Sequence, residues 1–538
     1  MTTIEPASVL GSRPARSPRR VSRATFVAAS AVAAAVLLPA VYLVVRASGA
    51  GAGVATVLTE SRTMWLLVRT TGLAAAVTGA SLAIGVPLAW LTARTDLPGR
   101  RAFAVLTALP LVIPSYVGGY VFVAALGPRG IVQGWLEPLG VNRLPSIYGF
   151  WGAWLALTLF TYPYVLLTVR AAVRRLDPAL EEASASLGRT RAQTFRRVIV
   201  PQLRPAAAAG GLLVALYTLH DFGAVSLLRF DSFTRAIYVS YRGSFDRSRA
   251  AVLALVLVAM ALAVVVAEFR TRSRGVIYRV HGGGGRVPAV TRLGRWRWPA
   301  FGACASLVAV ALVMPMSVIG YWVARSARGG GPVADTISAG VNSVQVAALA
   351  ALVAAAAAWP VAFVAARAPG RASRSIERAS YIGYAVPGIV VALALVFFGA
   401  RYAPAIYQTL PLLVFAYVVL FLPQATGAIR ASFEQVNPAL EDAARSLGAP
   451  AGRVARTILF PLVRPGIAAG AALVFLTVMK ELPATLLLAP TGFSTLATQV
   501  WNSTSAAFFD RAATPALALI VLSSVPLAVL MLRDREAR

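Results

Sequence analysis

Residues 177–210 read DPALEEASASLGRTRAQTFRRVIVPQLRPAAAAG, and residues 437–470 read NPALEDAARSLGAPAGRVARTILFPLVRPGIAAG. The two stretches align in one register, which matches Glu182 with Asp442, Gly188 with Gly448 and Pro201 with Pro461. Each copy is polar, is rich in arginine and lies between long apolar runs. A polar loop that occurs twice in a membrane chain predicts two docking points for one kind of partner.

The apolar runs predict an all-α polytopic membrane protein. The chain is 58% hydrophobic and 13% charged, with a mean hydropathy of +0.71. A helix needs about 20 mainly apolar residues to span a bilayer, and only helices or closed barrels satisfy their backbone there. The runs are too long and too uniformly apolar for barrel strands. We predict about 12 transmembrane helices, at 26–46, 65–91, 103–126, 149–169, 206–228, 250–268, 299–323, 341–366, 380–399, 407–429, 466–489 and 513–532.

The polar loop belongs to a longer repeat. Further matches are Pro87 with Pro360, Arg94 with Arg367 and Pro114 with Pro387, in a second register because the first half carries extra residues around 127–146. Six helices are predicted per half, so the halves are parallel repeats with a path or site between them. The predicted units are an N-terminal tail at 1–25, a first half at 26–270 with its loop at 177–205, a linker at 271–298 and a second half at 299–538 with its loop at 437–465.

The charge of the chain indicates topology. The formal net charge is +31, and most basic residues fall on one side of the predicted membrane. This asymmetry follows the positive-inside rule and places both termini and both polar loops in the cytoplasm. The basic excess therefore predicts orientation and argues against a nucleic-acid partner.

Each polar loop is predicted to begin with a short capped helix. Asp177 and Asn437 are good N-cap residues, and the proline after each fits the first helical position. Gly188 and Gly448 are placed to end the helix, since glycine adopts the left-handed cap conformation. The small side chains of Ala183 and Ala443 would allow a partner to approach closely. Basic groups of that partner would pair with the acidic residues of the loops, which are Glu181, Glu182, Glu441 and Asp442.

A second helix is expected before the chain returns to the membrane. In the first copy, Thr190 and Gln193 have the spacing of a capping box. Pro201 and Pro205, like Pro461 and Pro465, are then expected to bend the chain back into the bilayer. The predicted result is a helix–turn–helix that lies under the membrane.

The pattern E-A-A-x3-G, followed by a spaced hydrophobe-x-P, resembles the coupling loop of binding-protein-dependent ABC importer permeases. The two copies carry it as Glu182-Ala183-Ser184 with Gly188 and Pro201, and as Asp442-Ala443-Ala444 with Gly448 and Pro461. The resemblance covers nearly the whole chain and implies a type I importer permease fold in a bacterial plasma membrane. It also implies that two ATPase subunits bind the loops and that an extracytoplasmic binding protein delivers the substrate.

The chain lacks an ATP-binding loop of its own. No G-x4-G-K-[ST] motif occurs, and the only lysine, Lys480, follows no glycine-rich segment. ATP and Mg²⁺ are therefore expected on the partner, and no cofactor or metal on this chain. With two histidines and the single Cys304, a metal cluster is hard to build, and no nucleophile with a base is identifiable. A polytopic enzyme is thus disfavoured.

Two charged doublets, His220–Asp221 and Lys480–Glu481, fall inside apolar helices in one register. Charges within the membrane are costly and therefore mark functional candidates. Neighbours on one helix do not face each other, so we expect pairing across the halves, for instance of Asp221 with Lys480. These groups would form or lock the outer gate, or would be a structural ion pair between the halves.

Around the doublets the resemblance narrows to fused ferric-iron importer permeases. It is carried by Asp221-Phe-Gly-Ala-Val-Ser-Leu-Leu, Phe233-Thr-Arg-Ala-Ile-Tyr, Ser244-Phe-Asp-Arg and Lys480-Glu-Leu-Pro-Ala-Thr-Leu-Leu-Leu. Ferric iron is the implied substrate, although thiamine, polyamine and phosphonate permeases share the coupling loops. No Asp/Glu/Tyr cluster is recognisable as a dedicated ferric site, so selection is expected in the binding protein.

The outer segment from Arg229 to Arg249 is unusually basic for its side. It is consistent with docking of an acidic binding-protein surface, with an anion carried beside the metal, or with a solvated, salt-bridged loop. The remaining rival class is an ion-coupled secondary transporter with two six-helix halves. Asp221 and Glu481 are compatible with that class, whereas the twin coupling loops favour the importer.

Overall fold

The computed structural model describes residues 22–49, 53–128, 130–141, 143–243, 247–272, 290–328, 333–368 and 370–536. Within these ranges the chain forms helices joined by turns and loops, and an isolated backbone bridge pairs Thr95 with Thr291. Most of the predicted tail and linker lie outside the described residues, as does His281. The all-α fold class is confirmed.

The helices of the first half are numbered in chain order. They are α1 (Arg23–Ser48), α2 (Gly53–Thr59), α3 (Ser61–Arg94), α4 (Arg100–Leu106), α5 (Ser115–Leu126), α6 (Ile131–Leu136), α7 (Phe150–Arg174), α8 (Pro178–Ser186), α9 (Arg191–Thr194), α10 (Val200–His220), α11 (Gly223–Leu227), α12 (Phe233–Gly243) and α13 (Arg247–Arg272).

The second half repeats this order. Its helices are α14 (Arg297–Val308), α15 (Met314–Arg328), α16 (Val333–Arg367), α17 (Arg371–Ser380), α18 (Gly388–Tyr402), α19 (Leu410–Gln435), α20 (Ala439–Ser446), α21 (Ala451–Val454), α22 (Phe460–Met479), α23 (Pro483–Leu488), α24 (Leu496–Ser505) and α25 (Phe509–Glu536).

Nine described helices are long and apolar enough to cross a membrane, or ten if one bent pair is a single span. The third predicted helix of each half is not a single straight helix. Within 103–126, α4 and α5 belong to segments that meet at 92°. Residues 380–399 are divided between α17 and α18. Pro114 and Pro387 lie at the two breaks, because proline lacks an N–H donor and disfavours helical geometry in the preceding residue.

Three long helices form the core of each half: α3, α7 and α10 in the first, and α16, α19 and α22 in the second. Glycines let α10 approach α7 closely in the first half, and let α22 approach α19 closely in the second. A Cβ at Gly210 would lie 2.8 Å from the Cα of Val165, and one at Gly470 would lie 3.0 Å from the Cα of Ala425. Small residues at such crossings are typical of membrane helix packing.

The two halves interlock by exchanging their first helices. Helix α1 of the first half packs on α16, α17 and α18 of the second, and Tyr42 Oη donates to the carbonyl of Phe397 at 3.4 Å. In return, α14 and α15 pack on α4 and α5 of the first half, where Tyr120 Oη donates to the carbonyl of Phe509, in α25, at 2.9 Å. Each half is thus completed by a helix from the other.

Short π turns precede three of the prolines. They occupy Phe195–Ile199, Ala309–Val313 and Ala455–Leu459, each ending two residues before a proline. A proline in a regular helix would clash with the carbonyl four residues earlier. A π turn widens the helix by one residue and relieves that clash, so the helix continues.

Candidate coupling surface and translocation path

The first helix of each coupling loop has the predicted caps. The side chains of Asp177 and Asn437 each accept from the backbone N–H two residues later, at 3.0 Å in both copies. Gly188 and Gly448 have φ values of 73° and 81°. These angles confirm the left-handed ends of α8 and α20, where glycine is favoured.

The second helix of the loop continues into the membrane. The predicted capping box is confirmed, since Thr190 N donates to Gln193 Oε1 at 3.0 Å and Gln193 N to Thr190 Oγ1 at 3.3 Å. The predicted bends at Pro201, Pro205, Pro461 and Pro465 are wrong. One continuous helix runs over Ala192–His220 and its counterpart over Ala451–Met479, because the π turns accommodate the first proline of each copy. A continuous helix therefore connects each loop to the core.

One carboxylate in each coupling loop is bound inside the chain. Glu181 pairs with Arg94, and Glu441 accepts from Nε of Arg367 at 2.7 Å. The two arginines are 3% and 7% exposed at the ends of α3 and α16. Glu181 and Glu441 therefore already have basic partners inside the chain, and each fastens a coupling helix to a core helix. Their pairing with basic groups of a partner stays a prediction.

The residues predicted to face a partner are largely exposed. Those exposed are Glu182, Ala183, Asp442 and Ala443. Sequence reasoning missed two leucines beside them. Leu187 is 76% exposed and Leu447 is 88% exposed, each just before the capping glycine. Single exposed leucines are common on protein surfaces, so the available signal was their occurrence in one register in both copies.

The helices that carry the charged doublets break at those doublets. Helix α10 ends at His220 and α22 ends at Met479, and each is followed by a short helix, α11 or α23. The predicted helices at 206–228 and 466–489 are therefore each divided in two. The charged residues are at the junctions, where the backbone leaves helical hydrogen bonding, rather than on uninterrupted helices.

Both acidic residues of the doublets cap the short helices. Asp221 Oδ1 accepts from the N–H of Val225 at 3.2 Å, and Glu481 Oε1 accepts from the N–H of Ala484 at 3.1 Å. Backbone donors at a helix start are otherwise unsatisfied within the helix and favour a carboxylate. This arrangement gives the buried Asp221 and the partly buried Glu481 a structural partner in each half.

The two carboxylates also contact the bent third segment of their own half. Ser115 Oγ donates to Asp221. The repeat places Gly388 opposite Glu481, and a Cβ at Gly388 would lie 2.8 Å from Glu481 Oε1. The longer glutamate thus occupies the space that a serine side chain takes in the first half. The two sites are matched in volume although their residues differ.

The expected ion pair between Asp221 and Lys480 is not observed among the described residues. Lys480 does reach the other half, but its Nζ donates to the backbone carbonyl of Leu111 at 3.4 Å. That carbonyl lies at the bend between α4 and α5. His220 Nε2 is buried without a hydrogen-bond partner in the described part of the chain. Lys480 thus contacts the other half as predicted, but it binds the Leu111 carbonyl rather than Asp221.

Tyrosines surround the junctions, and sequence reasoning missed them. Tyr417 Oη and Thr485 Oγ1 are 2.7 Å apart, and Thr485 Oγ1 donates to the carbonyl of Glu481 at 2.8 Å. Tyr116 Oη is buried and has no hydrogen-bond partner within the described ranges. Tyrosine hydroxyls and carboxylates from both halves therefore line one region, which no sequence spacing could reveal.

A cavity of about 380 Å³ opens between the halves at the end opposite the coupling loops. Its lining residues come from α12 of the first half and from the α23–α24 region of the second, together with Gln408. They include Arg242, which donates to Tyr238 Oη at 3.0 Å, and Thr485, which connects the cavity to Glu481. We call this cavity the vestibule.

Part of the basic outer segment is neutralised within the chain. Asp231 pairs with Arg235 and lies 3.7 Å from Arg69, and Arg249 pairs with Glu60. Arg242 instead faces the vestibule. The salt-bridged interpretation of the segment therefore holds for these pairs, and Arg242 is the arginine placed to meet a ligand there.

No group of three or more His, Cys, Asp or Glu side chains that could hold a metal occurs within the described ranges.

Comparison with known proteins identifies the family. The model for binding-protein-dependent transport system inner membrane components matches residues 85–271 and 358–533. The chain belongs to this family. The two matched ranges lie one in each of the halves described above, and each contains one coupling loop.

Curated relatives cover the chain to different extents. An Fe(3+)-transport system permease protein of Haemophilus influenzae, FbpB 2, is 35% identical over 497 residues, which is 92% of this chain and 95% of the relative. The sulfate transport system permease protein CysT of Escherichia coli is 33% identical over 26% of this chain and 50% of its own length. A crystal structure of a bacterial ABC transporter that imports alginate covers 42% of this chain at 18% identity, with a TM-score of 0.31.

Proposed function

We propose that this chain is the membrane subunit of an ATP-driven importer whose two coupling loops each bind one copy of an ATPase subunit. Family membership supports the class, and the equivalent exposed surfaces around Leu187 and Leu447 support two equivalent docking points. The loops and both termini are then cytoplasmic, in line with the positive-inside rule. A substrate-binding protein docks at the vestibule on the opposite face.

The mechanism rests on one observation. Each coupling loop continues into a core helix that ends at one of the charged doublets. The helix from Ala192 to His220 spans 29 residues, roughly 40 Å at 1.5 Å per residue. Its far end is the junction at Asp221, and the equivalent helix ends beside Glu481. A shift of the ATPase subunits is transmitted along these helices to the junctions below the vestibule, and opens the path there.

Ferric iron is the proposed substrate. It is the substrate named for the relative that spans nearly the full chain. The oxygen-rich lining, with Tyr417, Thr485 and Glu481 below the vestibule, is chemically suited to a hard cation or its chelate. The sulfate permease matches only 26% of this chain, and thiamine, polyamines and phosphonates remain the alternative cargoes.

The assignment is tested with the purified complex of this chain and its ATPase in nanodiscs. ATP hydrolysis is measured with candidate binding proteins loaded with ferric iron, thiamine or a polyamine. We expect the ferric-loaded protein to stimulate hydrolysis most. Stimulation by another loaded protein alone would reassign the cargo, and a chain that recruits no ATPase would contradict the importer function.

A further inference from the structure

A second cavity lies in the first half, at the end of the membrane helices that faces the coupling loops. Its volume is about 220 Å³. Five arginines contribute to its lining, together with Thr92, Ala93 and Val290: Arg94, Arg100, Arg101, Arg170 and Arg174. No aspartate or glutamate is among the lining residues. We call this cavity the arginine pocket.

Several donors in the arginine pocket have no acceptor among the described residues. Arg94 is 3% exposed, and its Nε and Nη1 are buried without a hydrogen-bond partner. Arg170 Nε is in the same state. Burying guanidinium donors without an acceptor is costly. The pocket therefore has unused capacity for a group that offers several negatively charged oxygens.

Nearby acidic residues do not neutralise the pocket. Glu181 binds one Arg94 nitrogen, and Asp96 Oδ1 accepts from the N–H of Leu293 at 2.8 Å. Of the five lining arginines, only Arg94 pairs with a carboxylate in the described part of the chain, so the pocket keeps a surplus of positive charge.

The second half provides an internal comparison. Its equivalent of Arg170 is Arg430, which pairs with Glu377 and, at 2.8 Å, with Glu434. The repeat places Ala104 and Arg174 where the second half has Glu377 and Glu434. Arg170 accordingly donates to the backbone carbonyl of Ala104 at 3.1 Å. One half closes this site with its own carboxylates, and the other leaves it open.

We propose that the arginine pocket binds a phosphate group, supplied by the headgroup of an anionic lipid or by free phosphate. Guanidinium groups match phosphate oxygens geometrically, and basic pockets between membrane helices at the cytoplasmic side are suited to anionic headgroups. Arg94 joins the pocket to Glu181 of the first coupling loop. A phosphate group bound in the arginine pocket therefore affects how firmly Arg94 holds the first coupling loop. The second coupling loop has no such dependence.

The test uses the full chain with its ATPase, in detergent and in nanodiscs. Native mass spectrometry counts retained phosphatidylglycerol after delipidation, and thermal stabilisation by inorganic phosphate is titrated separately. We compare Arg174→Glu with Arg175→Glu, an equal charge change at an exposed neighbour that does not line the pocket. We expect Arg174→Glu to weaken binding about tenfold or more, and Arg175→Glu to weaken it by about threefold or less.

A reciprocal variant keeps the test decisive if Arg174→Glu fails to fold. Glu377→Ala with Glu434→Arg should open the equivalent site and add one bound phosphate group. Retained phosphatidylglycerol identifies a lipid, and stabilisation by inorganic phosphate alone identifies a free anion. The proposal would be overturned if Arg174→Glu and Arg175→Glu bound phosphate equally well. It would also be overturned if the variant with Glu377→Ala and Glu434→Arg bound no additional phosphate group. Neither outcome depends on the transported substrate, so failure here leaves the importer function standing.

Discussion

Gly388 and Ser115 show how single residues adjust two equivalent sites. Each follows the proline at the bend of a third segment, and each faces a buried carboxylate. Glutamate is one methylene longer than aspartate, and glycine leaves the space for that methylene. The pairing of a longer acid with a smaller neighbour is visible only because the chain contains the same site twice.

Gly388→Ser should therefore displace Glu481, because even a Cβ at that position would lie 2.8 Å from its carboxylate. The carboxylate is the flexible end of its side chain and can move aside, so the main cost is its hydrogen bond to the N–H of Ala484, about 0.5–1.5 kcal/mol. We therefore expect a slightly lower melting temperature and slower uptake. Adding Glu481→Asp recreates the arrangement of the first half and should restore both. A double variant no better than the single one would show that the two positions are not coupled.

The buried ion pairs of the coupling loops predict unequal consequences. Glu441→Ala leaves Arg367 buried and unpaired, which costs about 3 kcal/mol or more. Glu181→Ala should cost less, since the Glu181 side chain is 31% exposed. Thermal unfolding of the purified chain measures both. Glu182→Gln, at an exposed neighbour, is the control and should leave the melting temperature unchanged; an equal loss in all three variants would contradict this interpretation.

At the scale of elements, the coupling helices present an apolar contact on a polar surface. Leu187→Asp with Leu447→Asp should release the ATPase without unfolding the chain, because both side chains are exposed. Co-purification of the ATPase, scored against the melting temperature, is the measurement. Leu139→Asp is a matched control, since Leu139 is also 76% exposed but lies away from the coupling loops. ATPase retained by the double variant would place the docking surface elsewhere.

The sequence predicts the elements that have local signals. Caps at Asp177 and Asn437 and the turn glycines follow from short-range chemistry, and the structure confirms them. Apolar composition locates membrane helices but does not separate a straight helix from a broken one, since both are equally apolar. Pro114 and Pro387 align the two halves of the repeat. The breaks at these prolines, in the third predicted helix of each half, were not predicted.

The candidate site was harder to predict than the fold. Charge alone identified Asp221, Lys480 and Glu481 as special, but the partner of each depends on packing between segments far apart in sequence. Lys480 meets a carbonyl exposed by the bend at Leu111, and nothing near Lys480 encodes that bend. The tyrosines were missed for the same reason, because buried aromatic residues are common in apolar helices.

At the scale of the whole molecule, the exchange of first helices makes the halves interdependent. Two co-expressed chains, divided within residues 273–289, should still associate, because α1 packs on the second half and α14–α15 on the first. Removing residues 1–49 from the first piece should weaken that association, because the contacts of α1 are lost while those of α14 and α15 remain. Affinity capture of one tagged piece measures it. Capture that is unchanged after the deletion would mean that the exchanged helix is dispensable.

The overall proposal makes the chain a passage whose opening is driven by ATP through two coupling loops. Uptake of radioactive ferric iron into proteoliposomes containing this chain, its ATPase and the binding protein tests this most directly. We predict that uptake requires ATP on the side of the membrane where the ATPase binds. We also predict that uptake persists when ionophores collapse the ion gradients. Uptake that proceeds without the ATPase and stops with the ion gradient would contradict it and identify a secondary transporter.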